Sequence, residues 1–286
     1  MLDELKYSVK KKVRNYYHEI KITIRKLFSK NRKQPDFLII GVQKGGTSTL
    51  FNLLSKHKQI QMPIKKEIHY FDNNYYKCKE WYLAHFPLMN KEKQFITGEA
   101  SPYYIFHPKA AERIKKDFPN IKIIVLLRNP VMRAYSHFQM EKRRGDERIH
   151  DFIGALNIEK ERLNIPLESF SNPRFKSFNH QHFSYLARGN YINQLKTWHQ
   201  YFDKKNLLVL SSEEYFTDQQ KVLDKVFDFL ELTRMNIKLS VRQNKGHYQK
   251  ISDEQRQYLN NYFYTSNIEL EKLLGQKFSW NKNLDT

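Results

Sequence analysis

Short apolar runs alternate with amphipathic stretches along most of the chain. Continuous, β-branched runs predict strands at residues 36–41, 94–100, 121–128 and 206–212. Apolar positions recurring every three or four residues predict helices at 47–57, 108–117, 130–142, 191–202, 218–232 and 252–274. Strands that alternate with helices indicate an α/β fold with a central parallel sheet flanked by helices on both faces.

Residues 160–188 form the least regular part of this pattern, and they contain Pro166 and Pro173. We expect a surface insertion here, with a loop that covers a substrate as the alternative.

Residues 1–34 differ from the rest, with 11 lysines and arginines against three acidic residues. Their apolar residues follow helical spacing at Val9, Val13, Tyr16, Ile20, Ile24 and Leu27. A basic amphipathic helix of this kind lies on an anionic membrane, or it packs on a domain and exposes a solvated basic face. Both interpretations stay open. The predicted organisation is an N-terminal segment at 1–34 and one catalytic domain at 35–286.

The composition narrows the class of partner. The 286 residues carry a formal net charge of +20, which favours nucleotides, acidic glycans, nucleic acid or an anionic membrane as partners.

A single cysteine, Cys78, excludes an intramolecular disulfide and a cysteine-based metal site. No apolar run reaches the length of a membrane span, and no signal peptide is visible. We therefore expect a cytoplasmic protein, with peripheral membrane contact through residues 1–34 as an open alternative.

The stretch "DFLIIGVQKGGTSTLF" combines a strand, a glycine-rich turn and the start of a helix, which together make an anion site. Gly41 and Gly46 have the spacing of a Walker A loop, but Thr47 stands where that motif has lysine, and Lys44 comes three residues earlier. The strongest strand ends in Arg128, where a Mg²⁺-dependent NTPase needs an acidic residue. These features argue against ATP chemistry and favour a second phosphate site at Arg128.

The chain resembles sulfotransferases that use 3′-phosphoadenosine-5′-phosphosulfate (PAPS) in five segments that follow the family order. The segment "IIGVQKGGTSTL" resembles their 5′-phosphosulfate loop, and "VLLRNPVMRAYSHF" (125–138) resembles their 3′-phosphate motif. The segments "KEIHYFD" (66–72), "GEASPYY" (98–104) and "NKGHY" (244–248) are similar to the glycosaminoglycan branch of bacterial type, without a membrane anchor.

The resemblance implies a role for each matching residue. The residues implied for the donor site are Gly41, Lys44, Gly45, Gly46, Thr47, Ser48 and Thr49 at the 5′ end, Arg128 and Ser136 at the 3′-phosphate, and Lys245, Gly246, His247 and Tyr248. Glu67 matches the catalytic glutamate and is the expected general base. Lys44 and Lys245 would stabilise the leaving phosphate oxygen. His69 would orient Glu67 or the acceptor, or would itself be the base, as in the small-molecule branch.

These observations predict a PAPS-dependent enzyme with a P-loop-like three-layer fold and no metal. It would transfer a sulfuryl group to a hydroxyl or amine of an anionic glycan and release adenosine 3′,5′-bisphosphate, without a nucleic-acid partner. Three alternatives stay open. They are a sulfotransferase acting on a small molecule or lipid-linked sugar, a nucleotide or nucleoside kinase, and a non-catalytic binder of polyanions or nucleic acid.

Overall fold

A computed structural model describes residues 13, 16–90, 92–238 and 249–284 of the chain. The strands are β1 (Phe37–Gly41), β2 (Gly98–Ala100), β3 (Lys122–Leu127) and β4 (Leu207–Ser211). The helices are α1 (16–26), α2 (Thr47–Leu54), α3 (Lys79–Leu83), α4 (Ala110–Asp117), α5 (Pro130–Arg144), α6 (Phe152–Asn157), α7 (Glu159–Arg162), α8 (Phe178–His182), α9 (Tyr191–Tyr201), α10 (Ser212–Thr217), α11 (Gln219–Phe229) and α12 (Asp253–Leu274).

The four strands form one sheet in the order β2-β1-β3-β4, and all three strand pairs are parallel. Residues of β1 alternate between its two faces. Leu38 and Ile40 pack with α3, α4 and α9, whereas Phe37 and Ile39 pack with α2 and α11. Both faces are therefore covered by helices, which confirms the predicted three-layer α/β architecture.

Several element ends differ from the sequence prediction. Only three residues of the predicted strand at 94–100 pair with β1, opposite Phe37–Ile39, whereas Ile96 makes an isolated bridge with Ile60. The predicted helix at 218–232 is preceded by the separate helix α10, and the Asp218 side chain caps α11. The predicted cap at Ser252 is confirmed, since its hydroxyl accepts a hydrogen bond from the Gln255 backbone nitrogen at 3.2 Å.

Helix α1 packs on the domain through one side only. Ile22 is buried in the core, and Arg25 donates two hydrogen bonds of 2.6 Å to the backbone carbonyls of Ala84 and Phe86. The described residues of the predicted apolar stripe, from Val13 to Leu27, are instead exposed on the other side. The domain boundary after residue 34 stays a prediction. No helix among the described residues is long and apolar enough to cross a membrane.

Candidate active site

A cavity of about 630 Å³ lies where β1 and β3 end and their helices begin. In parallel α/β sheets this edge is the usual place for a ligand site. Its lining includes Lys44, Gly46, Thr47, Ser48, Thr49, Glu67, His69, Arg128 and Ser136, all of them predicted from the sequence. The fold therefore brings predicted residues from three separate sequence segments into one cavity.

The glycine-rich turn between β1 and α2 needs its glycines for shape. A Cβ atom on Gly45 would lie 2.5 Å from the backbone oxygen of Leu126, and Gly46 has a φ of +102°. There is equally little room for a side chain at Gly41, where a Cβ atom would lie 2.5 Å from Ile105. Neither Gly41 nor Gly45 lines the cavity. The turn exposes the uncapped N-terminus of α2, whose first three residues carry hydroxyl groups. Free backbone N–H groups and hydroxyls at a helix N-terminus suit an anion.

Arg128 stands at the end of β3 and contacts this turn directly. Its Nη1 donates a hydrogen bond of 3.0 Å to the backbone oxygen of Lys44. Ser136 lies on α5 and also lines the cavity. Arg133, between them in sequence, is fully buried, donates to the Tyr185 carbonyl and is not part of the cavity lining. Arg128 and Ser136 therefore form a second cationic and polar corner beside the turn.

The loop at residues 66–72, here called the acidic loop, is held by the segment at 98–104. The Ile68 backbone nitrogen donates to Glu99 at 3.1 Å, and the Tyr70 backbone nitrogen donates to the Tyr104 hydroxyl at 2.9 Å. Tyr104 in turn donates to Glu99 at 2.8 Å. Glu99 is completely buried, and burial raises its pKa. These contacts fix the backbone that carries Glu67.

Three side chains of the acidic loop form a chain of charged groups. His69 Nδ1 lies 2.7 Å from Asp72 Oδ2, and His69 Nε2 lies 3.7 Å from Glu67 Oε2. Burial opposes the charged form of His69, but Asp72 and Glu67 outweigh it and raise the pKa of His69 to about 10. Burial likewise opposes the charge on Glu67, but the neighbouring His69 and Lys66 outweigh it and lower the pKa of Glu67 to about 2. At neutral pH the loop therefore holds a Glu67 carboxylate beside a His69 imidazolium.

Lys44 projects from the glycine-rich turn into a strongly cationic environment. Burial, followed by the charges of Arg143 and Arg128, lowers the pKa of Lys44 to about 8. Lys44 also has a φ of 72°, and Glu67 and His69 have φ values of 60° and 57°. Residues other than glycine rarely adopt this left-handed backbone conformation. Each instance costs about 1–3 kcal/mol and persists only where the surrounding structure imposes it. All three residues predicted to act in catalysis within the described part of the chain share this feature.

Ten residues of the cavity lining were not assigned a role from the sequence: Gln43, Pro102, Tyr103, Met140, Arg143, Arg144, Gln181, His182, Arg188 and Phe216. Pro102 and Tyr103 lie inside the segment at 98–104 that resembles the glycosaminoglycan branch, so this resemblance could have indicated that they belong to the site. Gln181, His182 and Arg188 belong to the irregular region at 160–188. The expectation of a mere surface insertion was therefore wrong for its second half, which forms a wall of the cavity.

The remaining predicted donor residues, Lys245, Gly246, His247 and Tyr248, lie outside the described residues. Among those described, one group of side chains has the spacing of metal ligands: Glu141, Asp146 and His182, with ligand atoms within 4.8 Å of one another. The Glu141 carboxylate already accepts from His182 at 3.1 Å and pairs with Arg144 at 3.4 Å. The contacts of Glu141 with His182 and Arg144 are therefore sufficient to account for the burial of its carboxylate.

The chain matches the family model for the sulfotransferase domain over residues 34–284. A curated relative, a membrane-associated sulfotransferase of Dictyostelium discoideum, is 30% identical over 312 residues, which cover 86% of this chain and 66% of the relative. A bifunctional heparan sulfate N-deacetylase/N-sulfotransferase of Mus musculus is 29% identical over 269 residues, covering 84% of this chain and 30% of the relative. The chain thus spans less than two thirds of the length of either relative.

The crystal structure of a sulfotransferase from Alicyclobacillus acidocaldarius is similar to this fold, with a TM-score of 0.71 and 28% sequence identity. The similarity covers 87% of this chain and 99% of that chain. It confirms the predicted P-loop-like architecture. Together with the family match over most of the sequence, it shows that the chain belongs to the sulfotransferase family.

Proposed function

We propose that this sulfotransferase moves a sulfuryl group from PAPS to a hydroxyl or amine of a glycan, with Glu67 as the general base. The observation that carries the proposal is the hydrogen bond from Arg128 to the Lys44 backbone, which joins two anion-binding corners into one site. PAPS has two separated anionic groups, the 5′-phosphosulfate and the 3′-phosphate. An ATP-dependent kinase would not need the second corner, formed by Arg128 and Ser136, because ATP carries no 3′-phosphate.

In this proposal the turn at 41–49 and the N-terminus of α2 hold the 5′-phosphosulfate. Arg128 and Ser136 hold the 3′-phosphate, where a charged fork and a hydroxyl can each donate hydrogen bonds. Lys245, Gly246, His247 and Tyr248 complete the donor site, on the strength of the family resemblance alone.

The reaction would be an in-line transfer. The acceptor oxygen or nitrogen forms a bond to sulfur while the bond from sulfur to the bridging oxygen breaks, and that oxygen leaves as part of adenosine 3′,5′-bisphosphate. Lys44 lies at the glycine-rich turn and its ammonium group stabilises the negative charge that develops on the leaving oxygen. The acceptor proton passes to the Glu67 carboxylate.

His69 is a poor candidate for the base, because Asp72 and Glu67 raise its pKa and keep it protonated at neutral pH. It would instead orient Glu67. Glu67 is fully ionised in the free protein, since its pKa is lowered to about 2. The arrival of an anionic donor beside it would raise its proton affinity toward the range that a base needs.

The cations at the cavity support an acidic glycan as acceptor. Arg143 and Arg144 lie along its lining in addition to the groups assigned to the donor. The mouse relative is by its name a heparan sulfate sulfotransferase. Carboxylates or sulfates of a glycan would pair with these arginines.

A thermal-shift panel tests the donor. Adenosine 3′,5′-bisphosphate is expected to stabilise the protein, whereas ATP with Mg²⁺ and short nucleic acid are not. Stabilisation by ATP with Mg²⁺ alone would contradict the proposal. Transfer of radioactive sulfate from PAPS to N-deacetylated heparosan, compared with transfer to its N-acetylated form, then separates amine from hydroxyl acceptors.

We also propose that residues 1–34 contact an anionic membrane peripherally, and the exposed side of α1 and the turn after it supports this. Six large apolar side chains there are 40–81% exposed: Tyr16, Tyr17, Ile20, Ile24, Leu27 and Phe28. Lys21, Lys26 and Lys30 are exposed among them. Apolar side chains with interspersed lysines suit the boundary of an anionic bilayer. The Dictyostelium relative is described as membrane-associated.

Vesicle flotation tests the membrane contact. The full chain is expected to float with vesicles that contain phosphatidylserine, and not with pure phosphatidylcholine. Replacing Ile24 and Leu27 by glutamine should abolish flotation. The matched control is Leu167→Gln, because Leu167 is 65% exposed far from α1 in sequence. Equal loss in the control, or flotation of the Ile24/Leu27 variant, would contradict the proposal.

A further inference from the structure

Arg188 is a buried arginine that joins the cavity wall to the glycine-rich turn. Its side chain is 4% exposed, and its Nη1 donates a hydrogen bond of 2.8 Å to Oε1 of Gln43. Its Nε donates to the Ser184 hydroxyl at 2.8 Å, and its Nη2 donates to the Gln181 backbone oxygen at 2.6 Å. The guanidinium group also lies 4.7 Å from the ring centre of Tyr103. Its position is therefore fixed from several sides.

This contact determines which way the Gln43 carboxamide faces. A guanidinium group only donates hydrogen bonds, so the carboxamide oxygen of Gln43 must face Arg188 and the NH₂ group must face away. Gln43 lines the cavity and directly precedes Lys44. Within the described part of the chain, the Gln43 Nε2 has no hydrogen-bond acceptor. Two N–H donors are thus left for a ligand in the cavity.

We propose that Gln43 donates these N–H groups to the oxygens of the sulfuryl group during transfer, and that Arg188 is the positioning residue that orients them. The inference rests on the proposed function, because it assigns the sulfuryl group to the cavity beside Lys44. The three sulfuryl oxygens carry negative charge, and fixed donors aimed at them lower the barrier. Gln43 exchanges no proton. It complements Lys44, which acts on the leaving oxygen.

An arginine suits the positioning role better than a lysine. Its fork reaches acceptors on two elements at once, Gln43 on the turn and Gln181 on the wall. The Gln181 side chain also accepts a hydrogen bond of 3.0 Å from Asn73, which follows the acidic loop. Arg188 therefore couples the donor side of the cavity to the side that carries the predicted base.

Gln43→Met tests the contact with the sulfuryl group, because methionine keeps the length of the side chain and removes the donors. Turnover is expected to fall about 10²–10³-fold, as for the loss of one oxyanion donor. Affinity for adenosine 3′,5′-bisphosphate should stay within about threefold, since that product lacks the sulfuryl group. Gln43→Glu keeps an oxygen that accepts from Arg188 but replaces the NH₂ group by a negatively charged oxygen. It should lower turnover further, because this charge repels the sulfuryl oxygens. Wild-type turnover in Gln43→Met would overturn the inference.

Arg188→Met tests the positioning role. The double variant combines Gln43→Met with Arg188→Met. If Arg188 acts through Gln43, the turnover of this double variant should be no lower than that of the slower single variant. If the two residues act independently, the losses in activation free energy should add. Arg32→Met is the control, because Arg32 is also buried and donates to a backbone carbonyl, that of Phe86, outside the cavity lining. It should lower the melting temperature without a selective loss of turnover.

Additive losses would overturn the role of Arg188. If Arg188→Met does not fold, Arg188→Lys takes its place in the comparison of single and double variants. The Gln43 variants still test the contact with the sulfuryl group on their own. A wild-type protein that neither binds adenosine 3′,5′-bisphosphate nor transfers sulfate from PAPS would contradict the proposed function itself, before any variant is compared.

Discussion

Arg128 donates a hydrogen bond of 3.0 Å to the main-chain oxygen of Lys44, across 84 positions of sequence. This contact sets the separation between the end of β3 and the glycine-rich turn. A ligand with two anionic groups at that separation would meet a preorganised site, and preorganisation reduces the ordering cost of binding.

The first prediction concerns the 3′-phosphate. Adenosine 3′,5′-bisphosphate should bind about 10–100-fold more tightly than AMP, because a charge-assisted contact from Arg128 contributes about 1.5–3 kcal/mol. Arg128→Gln should remove most of this preference, and calorimetric titration measures it. Arg256→Gln, on the exposed face of α12, is the control. A preference for the bisphosphate that survives in Arg128→Gln would refute the assignment.

The second prediction separates the two possible bases. Glu67→Gln should reduce turnover about 10²–10⁴-fold, because the amide cannot accept a proton. Its affinity for adenosine 3′,5′-bisphosphate should stay near that of the wild type. His69→Ala should have a smaller effect, since in the proposed mechanism His69 only orients Glu67. The opposite result, an inactive His69→Ala beside an active Glu67→Gln, would make His69 the base.

The third prediction concerns pH. The pKa of Lys44 is lowered to about 8, so its ammonium form predominates well below that pH and is lost progressively as the pH rises through it. Affinity for adenosine 3′,5′-bisphosphate should therefore fall as the pH rises through the pKa of Lys44, because only the charged form attracts the anion. Lys44→Arg stays charged throughout and should give a flatter profile. Titrations at pH values on both sides of 8 measure this, and identical profiles for both proteins would argue against the role of Lys44.

The fourth prediction concerns metal. Sulfuryl transfer should survive treatment with EDTA, because Lys44 and Arg128 supply the positive charge at the proposed donor site. The measurement is the transfer rate before and after chelation, and after Mg²⁺ is restored. Activity that disappears with EDTA and returns with Mg²⁺ would favour the kinase-like alternative. The group formed by Glu141, Asp146 and His182 would then be the first place to search for the ion.

The fifth prediction concerns the support of the acidic loop. Glu99→Leu should lower the free energy of unfolding by about 3 kcal/mol or more, because it leaves several buried donors unpaired at about 1–3 kcal/mol each. Those donors are the Ile68 backbone nitrogen and the hydroxyls of Tyr82, Ser101 and Tyr104. Glu99→Gln should cost less, since the tyrosine hydroxyls can also accept. Urea denaturation measures both, with the exposed Glu161→Leu as control. Equal stability of Glu99→Leu and the control would show that the buried network contributes little.

The buried strands and the glycine-rich turn could be predicted from sequence because their signals are local. A strand covered on both faces is a continuous apolar run, as in 121–128, and the turn at 41–49 carries its glycines and hydroxyls within nine residues. Glu67 and His69 were found through a short segment as well. Asp72 stands in the same segment, but its role depends on a 2.7 Å contact that spacing alone does not reveal.

The parts that could not be predicted depend on contacts between distant residues. Arg188 bonds to Gln43 from 145 positions away, and nothing near residue 188 in sequence marks it as part of a site. Periodicity in α1 correctly indicated an apolar stripe, yet it could not tell which side packs on the domain. Ile22 and Arg25 make that contact, and the stripe stays outside. In both cases the outcome depends on tertiary packing, not on local propensity.

The left-handed backbone at Lys44, Glu67 and His69 has a consequence for protein engineering. Glycine would adopt these three conformations with less strain, so a screen for heat resistance alone would reward its introduction there. The variants that such a screen enriches would have lost the ammonium, the carboxylate or the imidazole that the proposed chemistry uses. Improvement of this enzyme by directed evolution therefore needs selection for turnover in every round.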